Sequence, residues 1–116
     1  MRVLETNIAD IKLLKPVCHF DSQGIPSDVF EKGALFKHGI DIHFVQESQT
    51  WSASKEVVRG LHFQSAQAEL SGVTAGSIFD VAVDTRRGSS SFGRHVAAAR
   101  SAADWNQIFI PERTRP

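Results

Sequence analysis

Apolar and polar residues alternate along this chain in short segments separated by glycine- and proline-bearing turns. Strand-like segments occur at residues 8–16, 40–45, 57–63, 78–83, 95–99 and 107–110. In residues 40–45, for example, Ile40, Ile42 and Phe44 alternate with Asp41 and His43, the period of a half-buried strand. Short strands at regular spacing predict an all-β sandwich or barrel.

Three irregular segments interrupt this pattern. Gly24 and Pro26 predict a turn over residues 21–26. Ser27 as the N-cap and Glu31 in the first turn predict a short helical turn near residues 27–32, which Gly33 limits. A loop rich in serine and glycine is predicted over residues 86–93.

The segment 57–63 contains the candidate chemistry. Side chains alternate between the faces of a strand, so Gly60 and His62 share one face, with Arg59 on the other. A glycine beside an imidazole leaves open space, as a ligand pocket requires. His62 is therefore a candidate general base and Arg59 a candidate anion clamp. The alternative is that His62 is a hydrogen-bonded core residue, and the pattern alone leaves both interpretations open.

Composition narrows the function classes. The 116 residues predict a single domain, 1–116, and an apolar content of 41% is typical of a globular protein. The formal net charge is zero, so a basic surface for nucleic acid is not implied. Apolar runs are too short to cross a membrane, and residues 1–5 do not resemble a secretory leader. The single cysteine, Cys18, suits the cytoplasm.

Metal and nucleophile motifs are missing from the sequence. None of the five histidines forms an H-x-H pair. His38 and His43 are five residues apart, which places them on opposite faces of a strand. There is no G-x-S-x-G elbow and no phosphate-binding glycine loop. The sequence therefore predicts no metal site.

Longer motifs occur in a recognisable order. They are F-D-S-Q-G at residues 20–24, F-V-Q at 44–46, R-G-L-H-F-Q at 59–64, F-D-V-A-V-D-T-R at 79–86 and I-P-E at 110–112. Over roughly residues 5–112 the chain resembles the dTDP-4-dehydrorhamnose 3,5-epimerase family. The resemblance implies a cupin-type jelly roll. A complete jelly roll has eight strands, whereas about six are predicted here, so we expect an incomplete fold.

The resemblance also implies site residues. His62 matches the family's catalytic base, and five residues fall at substrate-binding positions: Arg59, Gln46, Asp28, Ser48 and Gln23. A guanidinium such as that of Arg59 suits the phosphate oxygens. Gln46 matches a polar residue near the sugar, and Asp28 stands where the family has a glutamate that contacts the nucleotide base.

The implied substrate is a dTDP-4-keto-6-deoxy sugar. Protons at C3 and C5 are acidified by the ketone; a base removes one, an enolate forms, and an acid returns a proton to the opposite face. An imidazole suits the base because its unperturbed pKa is near 6.5. The resemblance implies no metal, no cofactor and a homodimer.

The chain departs from the family pattern at several positions. It contains no tyrosine, whereas the family uses a tyrosine acid from strands that follow the I-P-E motif. The family's pocket lysine, which helps hold the enolate, falls at Glu69, its early-turn arginine at Gln23 and an asparagine at Ser48. We therefore expect an epimerase with impaired turnover. The alternatives are a non-catalytic fragment that binds a nucleotide sugar or pairs with a full-length homologue, and a chain without a stable fold of its own.

Overall fold

The computed structural model describes residues 1–62 and 67–112. Within these residues six strands and two short helical segments form, so the predicted all-β class is confirmed. The strands are β1 (Arg2–Glu5), β2 (Lys12–Lys15), β3 (Glu69–Gly72), β4 (Ser77–Val83), β5 (His95–Ser101) and β6 (Gln107–Ile110). A single α-helix, α1, spans Lys32–Lys37, and a 3-10 turn spans Ala102–Asp104.

The strands form two antiparallel sheets. The larger sheet has the order β1-β2-β6-β3, and the smaller one is the hairpin β4-β5. Strand β6, with the sequence Q-I-F-I, lies inside the larger sheet, and its first three residues are buried. Ile108 of β6 is opposite Leu13 on one side and Ser71 on the other. A central strand is buried on both faces, which agrees with this nearly continuous apolar run.

Apolar clusters cover the larger sheet on both faces. Successive side chains of a strand point to opposite faces, so Ile108 and Phe109 enter different clusters. One cluster lies between the two sheets and contains Ile8, Ile11, Ala82, Val96 and Ile108. The other contains Leu14, Leu35, Ile40 and Phe109. The hairpin therefore covers one face, and α1 with the chain after it covers the other.

The helix begins later than the sequence predicts. Glu31, not Ser27, is the N-cap: its carboxylate accepts from the backbone N–H of Gly33 at 2.9 Å and of Ala34 at 2.7 Å. Ser27 is already engaged, because its hydroxyl donates to the carbonyl of Val17 at 2.8 Å and its backbone bridges that of Cys18. The helical turn predicted at residues 27–32 is therefore wrong, and the helix spans Lys32–Lys37.

Two predicted strands do not form. Residues 40–45 keep the expected alternation of burial, with Ile40 buried and Asp41 exposed, but they join no ladder. Residues 57–62 are also without strand structure, and Val58 is 92% exposed. Strand propensity describes a side chain that fits a half-buried sheet surface, and among the residues that the structure describes neither segment pairs with a strand that could supply one. Phe63 and Gln64 of the motif lie outside the described residues.

The remaining predictions are mixed. The predicted strands at 78–83, 95–99 and 107–110 are confirmed, and β5 continues to Ser101. Only Lys12–Lys15 of the segment 8–16 is a strand. Strands β1 and β3 were not predicted. The turn near Gly24 is confirmed by a backbone hydrogen bond of 3.0 Å from Asp21 to the Gly24 carbonyl.

In the described ranges, no helix has both the length and the apolar character needed to cross a membrane.

Candidate functional site

All six residues that the sequence assigns to the site lie at the surface. The exposed residues are Gln23, Asp28, Gln46, Ser48, Arg59 and His62. Two of them touch, because the Gln46 amide donates to the Ser48 hydroxyl at 3.2 Å. Within residues 1–62 and 67–112, the structure records no hydrogen bond from the side chains of Asp28, Arg59 or His62. Their common role at one site thus stays a prediction.

The surroundings of His62 differ from those that the strand pattern predicts. Gly60 and His62 do not share a strand face, because residues 57–62 are not a strand. Gly60 has φ +136°, and a Cβ added there would meet only the backbone nitrogen of His62, at 4.0 Å. The backbone around Gly60 is therefore open, as expected, although its conformation is irregular. The His62 side chain is exposed.

A buried carboxylate organises the loop between β4 and β5. The Asp84 side chain is 1% exposed and accepts hydrogen bonds from Arg86, Ser89 and Ser91. The hydrogen bond from Arg86 is the main cause that lowers the pKa of Asp84 far below its ordinary value, while burial opposes this shift. The same bond raises the pKa of Arg86. Both carboxylate oxygens of Asp84 accept hydrogen bonds from this D-x-R-x-x-S segment or from Ser91. The cluster therefore stabilises the loop and does not present Asp84 to a ligand.

The Asp84 cluster also joins the hairpin to the first turn of the chain. Arg86 Nη1 contacts Asp10 Oδ2 at 2.8 Å, and the Asn7 amide donates to the carbonyl of His95 at 3.1 Å. A shallow depression beside this contact is lined by Ile11, Asp84 and Arg86, among others. The polar contacts therefore fix this end of the hairpin against the larger sheet.

A second polar cluster lies between the sheets, farther along β4. Arg100 of β5 is 2% exposed. Its guanidinium donates to the Ser71 carbonyl at 2.8 Å and to the Ser71 hydroxyl at 3.1 Å, and it forms an ion pair with Asp80. Ser71 belongs to β3 and Asp80 to β4, so one side chain connects three strands. This cluster links the inter-sheet side of the hairpin to β3 of the larger sheet.

Sequence reasoning did not select Arg100. A signal was present in the alternation of Val96, Ala98 and Arg100, where an arginine interrupts an apolar row, but the predicted strand, 95–99, ended one residue before it. In the sequence, Asp80 and Asp84 are four residues apart and would share one face of a strand. Only the structure shows that Asp80 pairs with Arg100, whereas Asp84 pairs with Arg86.

The charge pattern gives no metal centre among the described residues. In those ranges, no group of three or more histidine, cysteine or acidic side chains is close enough to hold an ion. Three aspartates, Asp10, Asp80 and Asp84, are instead paired with arginines.

Comparison with known proteins adds to this geometry. A sequence model of the dTDP-4-dehydrorhamnose 3,5-epimerase family matches residues 5–115. The chain is 42% identical over 117 residues to the dTDP-4-dehydrorhamnose 3,5-epimerase of Escherichia coli (strain K12), covering 97% of this chain and 62% of that protein. The chain thus spans less than two thirds of this relative.

Solved structures agree. The dTDP-4-dehydrorhamnose 3,5-epimerase from Bacillus anthracis, crystallised with TDP and PPi, superposes with a TM-score of 0.92 and 37% identity, covering 96% of this chain and 65% of that one. A dTDP-6-deoxy-D-glucose-3,5-epimerase from Legionella pneumophila, in complex with dTDP-4-keto-L-rhamnose, gives a TM-score of 0.89 and 37% identity over 96% of this chain and 60% of that chain.

These similarities cover nearly the whole chain, and they confirm the predicted cupin-type fold class. They also include the motifs that carry the resemblance in sequence, from residue 20 to residue 112. The chain belongs to the dTDP-4-dehydrorhamnose 3,5-epimerase family.

Proposed function

We propose that this chain binds a dTDP-4-keto-6-deoxy sugar and exchanges protons next to the ketone, the first half of a 3,5-epimerisation. The observation that carries the proposal is the R-G-L-H-F-Q motif at residues 59–64 within a family match over residues 5–115. The relative from Legionella pneumophila was crystallised with dTDP-4-keto-L-rhamnose, which supports this class of substrate.

In this proposal His62 is the base. Its imidazole takes the proton from the carbon beside the carbonyl, and the electron pair moves into the enolate. Arg59 then binds the diphosphate, three residues before the base, and its guanidinium matches the geometry of two phosphate oxygens. Both side chains are exposed and open to a ligand.

The other substrate contacts are proposed on the same basis. Gln46 and Ser48, which touch at 3.2 Å, together offer an amide and a hydroxyl to the sugar. Asp28 and Gln23 serve the nucleotide end. A neutral Gln23 in place of a cation makes this end less attractive to phosphate.

Turnover by the chain is proposed to be weak. It contains no tyrosine to return the proton as a general acid. General acid catalysis typically contributes on the order of 10²–10⁴-fold to a rate. Without the acid, epimerisation should therefore be slowed more than removal and exchange of the proton. A cytoplasmic location belongs to this proposal, and a free cysteine, Cys18, is compatible with it.

We also propose that the chain forms a homodimer. The outward face of the β4-β5 hairpin exposes Phe79 by 70% and Val81 by 43%. Apolar side chains exposed side by side favour association with another protein surface. Sedimentation at two protein concentrations tests this, and a monomer at both contradicts it.

The test of catalysis is isotope exchange. The protein is incubated with the 4-keto sugar nucleotide in deuterated water, and label at C3 and C5 is followed by NMR. We expect label with the unmodified chain, loss of label in His62→Asn, and no effect of His43→Asn, which alters another exposed histidine.

Other outcomes favour the alternatives. Nucleotide binding without label supports a non-catalytic fragment, which binds the sugar nucleotide or pairs with a full-length homologue. If there is neither label nor binding, and thermal unfolding is broad, the chain has no stable fold of its own.

A further inference from the structure

The inter-sheet space has an apolar end and a polar end. Ile108 belongs to the inter-sheet cluster, and Ser71 is its partner on β3, so Ser71 faces the same space. Ala82 is also in that cluster, and Asp80 lies two residues before it on the same face of β4. Ser71 and Asp80 therefore approach each other from the two sheets.

Arg100 fills the gap between them. It lies four residues after Val96 on the inward face of β5 and is 2% exposed. Both terminal nitrogens are used: Nη1 donates to the Ser71 carbonyl, and Nη2 donates to the Ser71 hydroxyl and to Asp80 Oδ2. Arg100 Nε is buried and has no partner within residues 1–62 and 67–112.

Stability alone gives little reason for an arginine at this position. A buried ion pair can often be replaced by apolar side chains of similar volume without loss of stability, because desolvating the charges offsets their attraction. An unpartnered Arg100 Nε adds to that cost. What the arginine does achieve is to fix one carboxylate in a single orientation.

That carboxylate remains accessible. The Asp80 side chain is 37% exposed, in contrast to 2% for Arg100. Its Oδ2 is held by Arg100, and no protein donor to Oδ1 is recorded in the described part of the chain. Asp80 thus presents an oriented, free acceptor at the edge of the inter-sheet space. A carboxylate accepts hydrogen bonds from hydroxyl groups.

We propose that Arg100 is a positioning residue that holds Asp80 so that the free carboxylate oxygen accepts a hydrogen bond from a hydroxyl of the sugar. The inference rests on the proposed function and deepens it. It assigns to the Arg100–Asp80 pair the ability to distinguish a nucleotide that carries the sugar from one that does not. The Arg100–Asp80 pair favours the neutral sugar end and contributes nothing to binding of the diphosphate.

The experiment is calorimetric titration with two probes, dTDP-4-keto-6-deoxyglucose and dTDP. A hydrogen bond to a charged group is worth enough that its loss weakens binding roughly tenfold or more. We therefore expect Asp80→Asn and Arg100→Met to weaken binding of the sugar nucleotide by about that factor, with dTDP binding unchanged. Arg100→Lys retains a cation, so it should recover part of the affinity.

Matched controls separate positioning from folding. Arg94→Met removes an exposed arginine of the same hairpin, and both affinities should stay as they are. If Arg100→Met does not fold, Asp80→Asn decides, since it preserves shape at a partly exposed position.

Equal weakening of both probes, or of neither, overturns the inference while the proposed function stands. An unmodified chain that binds neither probe overturns the proposed function itself, and this inference with it.

Discussion

Arg86 and Asp84 form a two-point contact within three residues of chain: Nε reaches Oδ1 and Nη2 reaches Oδ2, each at 3.1 Å. The third nitrogen of the guanidinium, Nη1, reaches Asp10 at 2.8 Å. Bidentate contacts of this kind are among the stronger hydrogen bonds in proteins. A single arginine therefore ties the end of β4 both to its own loop and to the turn before β2.

The Asp84 carboxylate should make the free energy of unfolding depend on pH in the acidic range. Folding lowers its pKa from the ordinary 3.8, so its contribution is complete above about pH 4 and is lost as the pH falls toward the lower folded value. Asp84→Asn should reduce the free energy of unfolding by roughly 3 kcal/mol at pH 7 and weaken its dependence on pH below 4. Urea unfolding at pH 7 and pH 3 measures both effects.

Asp41→Asn is the matched control, because Asp41 is exposed and its side chain has no hydrogen bond recorded within the described residues. This variant should keep the stability and pH dependence of the unmodified chain. A variant at Asp84 with an unchanged pH dependence would contradict the assignment.

The start of α1 predicts coupling between Glu31 and Gly33. Glu31→Ala removes the N-cap and should lower stability by about 1 kcal/mol. Alanine normally stabilises a helix relative to glycine by up to about 1 kcal/mol. A Cβ at Gly33, however, would lie 2.9 Å from Glu31 Oε1 and displace the cap. Gly33→Ala should therefore stabilise the Glu31→Ala background but not the unmodified chain.

Chemical denaturation of the four proteins of this cycle gives the coupling free energy. If the two substitutions are additive, the close approach between the Gly33 position and the Glu31 carboxylate does not control the cap.

Truncation of Ile108, which lies between the sheets, should lower the stability of the fold much more than truncation of an exposed apolar residue. Ile108 is 1% exposed and contacts the inter-sheet cluster, so Ile108→Ala should cost roughly 2–5 kcal/mol. Val58→Ala, outside the strands and 92% exposed, should change stability by less than about 1 kcal/mol. Thermal unfolding of both variants checks the difference, and equal losses would contradict the assigned burial of Ile108.

Glu69 offers a test of charge. It is exposed on β3, opposite Ile110, where the family resemblance places a lysine. Under the proposed function, Glu69→Lys should strengthen binding of the sugar nucleotide several-fold at low salt, and Glu69→Gln less. The gain should shrink at high salt, since exposed charges are screened beyond roughly 3 Å at 1 M ionic strength.

Glu5→Lys is the comparison for net charge, because Glu5 is an exposed residue of β1, at the opposite edge of the larger sheet from β3. If it strengthens binding as much as Glu69→Lys does, position 69 has no special role. Calorimetric titrations at two salt concentrations decide between the two.

Part of the fold follows from local pattern. Strands β4, β5 and β6 carry apolar alternation or a short apolar run bounded by turn residues, and sequence places all three within two residues. The turn at Gly24 is likewise local, because glycine there has φ +142°. The resemblance carried by R-G-L-H-F-Q and the other motifs identified the family, since motif order needs no coordinates.

Pairing partners and charge contacts were decided only by the tertiary structure. Residues 40–45 and 57–62 have strand-like sequences but pair with no strand in the described part of the chain, whereas β3, with the sequence E-L-S-G, becomes a strand because β6 lies beside it. The contacts of Arg100 could not be read from the sequence, because its partners, Ser71 and Asp80, are 29 and 20 positions away. Backbone pairing and ion pairing depend on which distant segments meet, and a one-dimensional pattern does not contain that information.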